Sequence, residues 1–148
     1  MISIKDKYLK VLKEQRVAVF IVAYDAEIHI ESVLKRIPED IARNLAEIYI
    51  IDDNSPDNTY EVAHDIDWSE DYAPIKIYKT PFNQGYGGNQ KLGYRYAVDN
   101  NFDIVILLHG DGQYAPESLP EIIAPYDDDY DAVFGSRFIT KGGARKGG

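Results

Sequence analysis

The residues best suited to chemistry come directly after an apolar run in the second half of the chain. Residues 104–108 are all apolar, and the sequence His-Gly-Asp-Gly-Gln occupies residues 109–113. A short apolar run that ends at turn-forming residues is typical of a buried strand. Carboxylate and amide oxygens suit a hard cation such as Mg²⁺, whereas an imidazole suits Mn²⁺ better. We therefore predict a site for Mg²⁺ or Mn²⁺ here, with Asp111 as the carboxylate ligand and Gln113 as a further ligand or support.

The histidine of this segment has two interpretations. In an extended stretch, His109 and Asp111 point to the same side, because they are two residues apart. His109 is then either a neighbour of the metal or a hydrogen-bonded residue at the rim of the site. The alternative for Asp111 is an ordinary turn aspartate.

Two further polar motifs follow apolar runs earlier in the chain. Tyr24 and Glu27 come after the first run, and an aromatic ring at a strand end can stack on a base. The alternative for Tyr24 is a tyrosine at the rim of the fold. Asp52 and Asp53 come after the second run, where adjacent carboxylates repel one another unless they bind a metal, a base N–H or a ribose hydroxyl. The alternative for Asp53 is a role in shaping the turn at Pro56.

Two motifs are candidates for binding phosphate. A glycine-rich turn at residues 83–88, which includes Gly85, precedes a predicted helix and could offer backbone N–H groups. Its spacing differs from the dinucleotide-binding fingerprint, and the absence of Gly-Lys-Ser/Thr excludes an ATPase-type phosphate loop. Lys91 either neutralises a phosphate or is solvated. Arg137 follows the last apolar run, and its planar guanidinium suits phosphate oxygens unless it is an ordinary surface arginine.

The elements that must position these residues alternate along the chain. Apolar runs predict strands at residues 17–23, 48–51, 75–78, 104–108 and 132–134. Helical periodicity or turn signals predict helices at residues 28–37, from 59 to about 66, from 90 to about 98 and from 116 to about 125. This alternation predicts an α/β fold with a mostly parallel sheet flanked by helices. Ligands of such sheets bind at the carboxyl edge, so the motifs should meet there.

Composition excludes several classes of function. The chain has 148 residues, enough for one domain, and a net charge of −9 from 16 basic and 25 acidic residues. This charge disfavours nucleic acid or an anionic membrane as a partner of this segment. The absence of cysteine excludes disulfides and thiolate chemistry. We expect an N-terminal extension at 1–15, one domain at 16–140 and a flexible tail at 141–148. We expect this tail to be the point at which a longer protein is truncated.

Taken in order, the motifs resemble glycosyltransferase family 2. Members have a GT-A fold and are inverting transferases that use nucleotide-diphospho-sugars, and the most similar subgroup is the polyprenyl- (dolichyl-) phosphate sugar transferases. The resemblance spans about residues 16 to 140. It rests on Val-Ala-Tyr-Asp-Ala-Glu at 22–27, Ile-Asp-Asp-Asn-Ser-Pro-Asp-Asn-Thr at 51–59, Asn-Gln-Gly-Tyr-Gly-Gly-Asn at 83–89, His-Gly-Asp-Gly-Gln-Tyr-Ala-Pro-Glu at 109–117 and Gly-Ser-Arg at 135–137.

The resemblance implies a role for each matching residue. Tyr24 would line the base pocket, and Asp53 would accept a hydrogen bond from the base. Asp111 would bind the metal with Gln113, and together with Arg137 it would stabilise the leaving diphosphate. The donor-binding set implied in this way comprises Tyr24, Glu27, Asp53, Gly85, Lys91 and His109.

The chain departs from the family pattern at four positions. His109 stands where the metal motif usually has its first Asp, which leaves one fewer negative charge for a cation. Asp25 replaces the usual Asn, Ala26 stands where Glu is common, and Asn54 replaces a Gly. Family members also continue past Arg137 with acceptor-binding elements, and many add membrane helices.

The resemblance implies the donor-binding part of a metal-dependent inverting glycosyltransferase. The donor would be a UDP- or GDP-sugar, and a polyprenyl phosphate is the candidate acceptor, as in lipid-linked sugar or cell-envelope polysaccharide synthesis. We expect a cytoplasmic location, with the inner face of the membrane as the second candidate for the full-length protein. One alternative is a non-catalytic nucleotide-sugar-binding module. Another is a receiver-type phosphoacceptor domain, which is disfavoured because its Asp pair would follow the first strand.

Overall fold

The strands of the sheet and the helices that cover it account for most of the chain. The computed structural model describes residues 2–111, 115–128, 132–134 and 138–141. The helices are α1 (Ile4–Glu14), α2 (Ile30–Lys35), α3 (Glu39–Asn44), α4 (Thr59–His64), α5 (Gly85–Asp99) and α6 (Leu119–Ile123). The strands are β1 (Val17–Ala23), β2 (Glu47–Asp52), β3 (Ile75–Lys79), β4 (Ile104–His109), β5 (Ala132–Phe134) and β6 (Phe138–Lys141). Short 3-10 helices at Pro116–Ser118 and Ala124–Asp128 flank α6.

The sheet is mostly parallel, as the alternating pattern predicts. Its order is β3-β2-β1-β4-β6-β5; β1 to β4 are parallel, while β6 runs antiparallel to both β4 and β5. The register aligns Ala23 with Asp52, Val22 with His109 and Asp52 with Lys79. The parallel strands therefore end nearly level, so the turns that follow them meet at one edge.

Helices cover both faces of the central strands. β1 and β2 are buried along their whole length, which explains their nearly continuous apolar sequence. On one face, Ile21 and Ile106 belong to a large core with α1, α2, α3 and α6. On the other face, Phe20 stacks on Tyr49 with ring centroids 5.0 Å apart, beneath α5. This double cover makes the sheet a rigid support for its carboxyl edge.

Several elements differ from the sequence prediction. α1 is a helix within the predicted extension; Ser3 caps it, and Tyr8, Val11 and Leu12 are buried in the core. α5 begins at Gly85, earlier than predicted, so the glycine-rich turn forms its first turn.

The remaining differences concern α3 and β6. The helix predicted at residues 28–37 is followed by α3, which was not predicted. Lys141 was assigned to the tail, whereas this residue ends β6. The β6 strand depends on antiparallel pairing with distant β4, a contact that local periodicity does not report.

α1 is anchored by a hydrogen bond that we expect to contribute measurable stability. The Tyr8 hydroxyl donates to the Asp40 carboxylate of α3. Burial, reinforced by this bond, raises the pKa of Tyr8 to about 12. Tyr8→Phe should lower the free energy of unfolding by about 1.5 kcal/mol at pH 7 in urea titrations. Because the folded-state pKa is raised, this difference should be complete below pH 10 and shrink between pH 10 and 12.

Tyr60→Phe is the matched control for this prediction. The Tyr60 ring contacts His64, and its hydroxyl has no hydrogen bond to any described residue, so its removal should cost little. If Tyr8→Phe is no more destabilising than Tyr60→Phe, the hydrogen bond does not anchor α1.

Candidate functional site

The ends of β1, β2 and β4 are held together by backbone hydrogen bonds that extend beyond the strands. The N–H of Asp53 donates to the Ala23 carbonyl at 2.9 Å, and that of Gly110 donates to the Val22 carbonyl at 2.8 Å. A Cβ at Gly110 would lie 3.3 Å from the Val22 carbonyl oxygen, the Ala23 Cβ and the Ile30 Cδ1. A glycine at this position therefore lets the metal motif approach the end of β1 closely.

The two adjacent aspartates at the end of β2, Asp52 and Asp53, have different surroundings. Asp52 is fully buried, and its Oδ1 accepts from the backbone N–H and the hydroxyl of Ser55. Its Oδ2 has no hydrogen-bond partner among the described residues. Burial raises the pKa of Asp52 above its usual range, and the Ser55 hydrogen bonds oppose this shift only in part. Asp52 therefore shapes the turn that follows β2.

Asp53 is held by groups from the segment that joins β3 to α5. Its Oδ1 accepts from the Thr80 hydroxyl at 3.1 Å and from the Gln84 N–H at 2.8 Å. The residue is only 3% exposed. Two hydrogen bonds to one oxygen fix the carboxylate, so the direction of Oδ2 is set before any ligand binds.

Asp53 forms part of a pocket of about 220 Å³, which we call the base pocket. The pocket is lined by Val22, Tyr24, Asp53, Asn83, Gly85, Tyr86 and Asn89. Tyr24 is 50% exposed, as a ring that stacks on a ligand must be. Gly85 has a φ of +78°, which favours glycine, and its N–H donates to Asn83 Oδ1 at 2.9 Å. That N–H is therefore already engaged within the protein.

A second pocket of about 140 Å³ lies against the first and is lined by residues 109–111 of the metal motif. We call it the metal-motif pocket; it shares Val22, Tyr24 and Tyr86 with the base pocket and adds His109, Gly110 and Asp111. The shared walls make the two pockets one continuous cleft. The sequence analysis had predicted that Tyr24, Asp53, Gly85, His109 and Asp111 meet at one edge, and the structure brings these five together.

His109 is held by a tyrosine that the sequence analysis did not single out. The Tyr86 hydroxyl lies 3.2 Å from His109 Nε2, and the two rings stack at 5.3 Å with an angle of 20°. Gln90 Nε2 donates to the same hydroxyl at 2.9 Å. His109 Nε2 is thus engaged by Tyr86. Tyr86 occupies a variable position of the glycine-rich motif, so only its exposed aromatic character could have indicated it.

Two other predicted donor-binding residues, Glu27 and Lys91, are absent from the walls that the described residues form around the two pockets. Glu27 Oε1 accepts from the Asn58 N–H at 2.8 Å, and the Glu27 N–H donates to Asp57 Oδ2 at 3.1 Å. Glu27 therefore joins the turn after β1 to the start of α4. Lys91 is exposed on α5. The predicted residues Gln113 and Arg137 lie outside the part of the chain that the structure describes.

The side chains that could bind a metal fit a cation that is held in part by the phosphates of a ligand. Within the described residues, no three His, Asp or Glu side chains are placed to bind a metal by themselves. Asp111 contributes an exposed carboxylate at the end of β4. Mg²⁺ is usually held by one or two carboxylates, with substrate phosphates and waters completing its shell. Asp111 is therefore compatible with such a cation.

A larger depression elsewhere has polar groups that are already paired. It measures about 600 Å³ and lies between α2 and the segment before β3. Lys35 Nζ donates to the Asp67 carbonyl at 2.6 Å, and Trp68 Nε1 donates to the Ala73 carbonyl at 2.9 Å. The cleft at the strand ends is the better candidate site, because two carboxylates, those of Asp53 and Asp111, line it.

Sequence comparison identifies relatives over nearly the whole chain. The model of the family described as Glycosyl transferase family 2 matches residues 18–147. A dolichol-phosphate mannosyltransferase of Pyrococcus furiosus is 30% identical over 128 residues, which cover 86% of this chain and 34% of that protein. A UDP-N-acetylglucosamine–dolichyl-phosphate N-acetylglucosaminyltransferase of Methanococcus voltae is 27% identical over 137 residues, covering 85% and 53%. The chain thus spans between a third and about half of these curated relatives.

Solved structures share the fold. A mannosyltransferase from Pyrobaculum calidifontis, in complex with GDP-Man and Mn²⁺, superimposes with a TM-score of 0.64 at 21% identity, covering 85% of this chain and 40% of that one. No helix in the described part of this chain is long and apolar enough to cross a membrane. From the family match, the sheet order and the cleft at the strand ends, we conclude that this chain belongs to glycosyl transferase family 2 and has a GT-A fold.

Proposed function

We propose that this chain is the donor-binding part of a metal-dependent, inverting glycosyltransferase. The observation that carries the proposal is the continuous cleft, in which Asp53 lies in one pocket and Asp111 in the other, with Tyr24 in both walls. A base in the base pocket would place its diphosphate at the metal-motif pocket. The names of the relatives support a nucleotide-sugar donor, either a UDP- or a GDP-sugar, and a polyprenyl phosphate acceptor.

Each residue of the cleft would have a separate role in binding the donor. Tyr24 stacks on the base, and Asp53 Oδ2 accepts from a base N–H. Asp111 holds a Mg²⁺ or Mn²⁺ ion, whose charge would stabilise the leaving diphosphate. Gln113 and Arg137 are proposed, from the motifs alone, to support the ion and the diphosphate. His109 supports the site by contacting Tyr86 through its Nε2 rather than by binding the ion with that atom.

The reaction would be a direct displacement at the anomeric carbon. An acceptor phosphate oxygen forms the new bond to this carbon as the bond to the nucleoside diphosphate breaks, which inverts the configuration. A phosphate acceptor is already an anion at neutral pH and needs no general base. With a membrane-borne acceptor of this kind, the full-length protein would act at the inner, cytoplasmic face of the membrane.

Calorimetry with GDP and UDP, with and without Mn²⁺, tests the proposal. At least one of the two should bind, and Mn²⁺ should strengthen its binding. If neither binds in the presence of Mn²⁺, the proposal is wrong. Release of nucleoside diphosphate from a nucleotide-sugar by the full-length protein separates an enzyme from a non-catalytic binding module, for which no release is expected.

Tyr24→Ala should weaken nucleoside diphosphate binding at least tenfold. Stacking of a base on an aromatic side chain contributes about 1–3 kcal/mol, and alanine removes all of it. Tyr24→Phe keeps the ring and should bind within about twofold of the wild type, since only the hydroxyl is lost. Inorganic pyrophosphate with Mn²⁺ has no base and should bind both variants equally. An equal loss for nucleotide and pyrophosphate in Tyr24→Ala would show that the ring does not stack on the base.

A further inference from the structure

One buried amide in the base pocket has an unused acceptor. Asn89 lies on the second turn of α5 and is fully buried. Its Nδ2 donates to the Ile51 carbonyl at 3.0 Å, which fixes the orientation of the amide. Its Oδ1 is buried and has no hydrogen-bond partner among the described residues. A buried acceptor without a partner costs about 1–3 kcal/mol, so a ligand that brings a donor to this part of the pocket wall would gain affinity.

Several donors around Asn89 are already used within the protein, whereas two acceptors are left over. Asn83 Nδ2 donates to the Asp53 carbonyl at 3.4 Å, the Gln84 N–H donates to Asp53 Oδ1 and the Gly85 N–H donates to Asn83 Oδ1. Asp53 Oδ2 makes no hydrogen bond to any described residue. Two acceptors, Asp53 Oδ2 and Asn89 Oδ1, are therefore left to a ligand in this pocket of about 220 Å³.

This pattern distinguishes between nucleobases. Guanine presents two adjacent donors, the ring N1–H and the exocyclic N2 amino group, whereas uracil presents a single N3–H between two carbonyl oxygens. A uracil carbonyl that faces a second protein acceptor finds no donor and is repelled. Sites that hydrogen-bond a particular donor reject ligands that lack it, because the protein group is then left unpaired in a buried place.

We infer that Asn89 is a specificity residue for the donor's base, and that Asp53 Oδ2 and Asn89 Oδ1 together select guanine over uracil. The inference rests on the proposed function and narrows its donor to a guanosine-diphospho-sugar. Asn89 does not contact the reacting atoms; it acts on the base alone.

Calorimetry with GDP, IDP and UDP in the presence of Mn²⁺ tests this inference. IDP keeps the ring N1–H of guanine and lacks the amino group, so it isolates the second donor. The wild-type chain should bind GDP about tenfold more tightly than IDP, and more tightly still than UDP. Equal binding of GDP and IDP, or a preference for UDP, would overturn the inference. This comparison uses only the wild-type chain, so it does not depend on the folding of a variant.

Asn89→Ala should reduce the preference for GDP over UDP about tenfold while leaving pyrophosphate binding unchanged. The matched control is Asn100→Ala, which removes an amide that donates to the Tyr96 carbonyl at the other end of α5 and should keep the wild-type preference. A variant that loses GDP and UDP binding equally would show that Asn89 is only structural, which would also overturn the inference. Binding of any nucleoside diphosphate with Mn²⁺ keeps the proposed function standing in either case.

Discussion

Asp111→Asn should weaken Mn²⁺-dependent binding of nucleoside diphosphate on the order of 100-fold. Even residues that only orient a metal ligand change metal affinity by roughly 10- to 100-fold, and Asp111 is proposed to be the ligand itself. Asparagine keeps the shape of the side chain and one oxygen but removes the negative charge. The loss should appear in calorimetry with Mn²⁺ and be small in its absence, because only the metal-dependent part of binding is removed.

Asp99→Asn provides the control for charge alone. Asp99 is exposed at the end of α5 and lines neither pocket, so this variant has the same change in net charge without a change in the cleft. It should bind nucleotide and Mn²⁺ like the wild type. The assignment of Asp111 fails if its variant binds as tightly as Asp99→Asn, or if both lose affinity to the same extent.

Gly93→Ala should be strongly destabilising, with a loss of about 3 kcal/mol in the free energy of unfolding. A Cβ built on Gly93 lies 1.9 Å from Cε2 and 2.1 Å from Cζ of Phe20. Phe20 is fully buried and stacked on Tyr49, so any movement of its ring disturbs the core. The Tyr49 hydroxyl also donates to the Gly93 carbonyl at 2.8 Å, which ties the helix to the sheet at this contact. Either the helix or the ring must shift.

Gly87→Ala is the matched substitution on the same helix and should have the opposite sign. An added Cβ there meets no atom of the described residues within 4 Å. Alanine in place of glycine in an exposed helix should stabilise the fold by about 0.5 kcal/mol, because the unfolded chain loses more freedom than the folded one. Urea unfolding of both variants measures the difference. Equal stability of the two would show that α5 does not pack on Phe20 as described.

The architecture could be predicted from local patterns because they reflect burial. The strands β1, β2 and β4 are nearly continuous apolar runs, which is what a parallel sheet covered on both faces requires. The motifs follow strand ends, and the level register of those ends brings Tyr24, Asp53 and Asp111 to one edge. The prediction of a shared cleft thus followed from topology, and comparison with relatives confirmed the family.

Local patterns missed contacts in which a residue's partner is distant in sequence. Glu27 Oε1 accepts from Asn58, 31 residues away, and the role of Glu27 at the donor stays a prediction. The α1 helix is stabilised by the core that it joins, and β6 by its pairing with β4. Tyr86 was overlooked because its contact with His109 joins positions 23 residues apart.

The sequence by itself determined the element order, the strand ends at which chemistry is possible and the residue types found there. These depend on hydrophobic periodicity and turn chemistry, which are local properties. Only the tertiary structure decided what each polar group can do. It placed Asp52 in the turn and Asp53 in the pocket, engaged His109 Nε2 with Tyr86 and left the side-chain oxygen of Asn89 without a hydrogen-bond partner among the described residues. Hydrogen-bond satisfaction is settled by neighbours from other strands and helices, and no local pattern records which acceptor remains for a ligand.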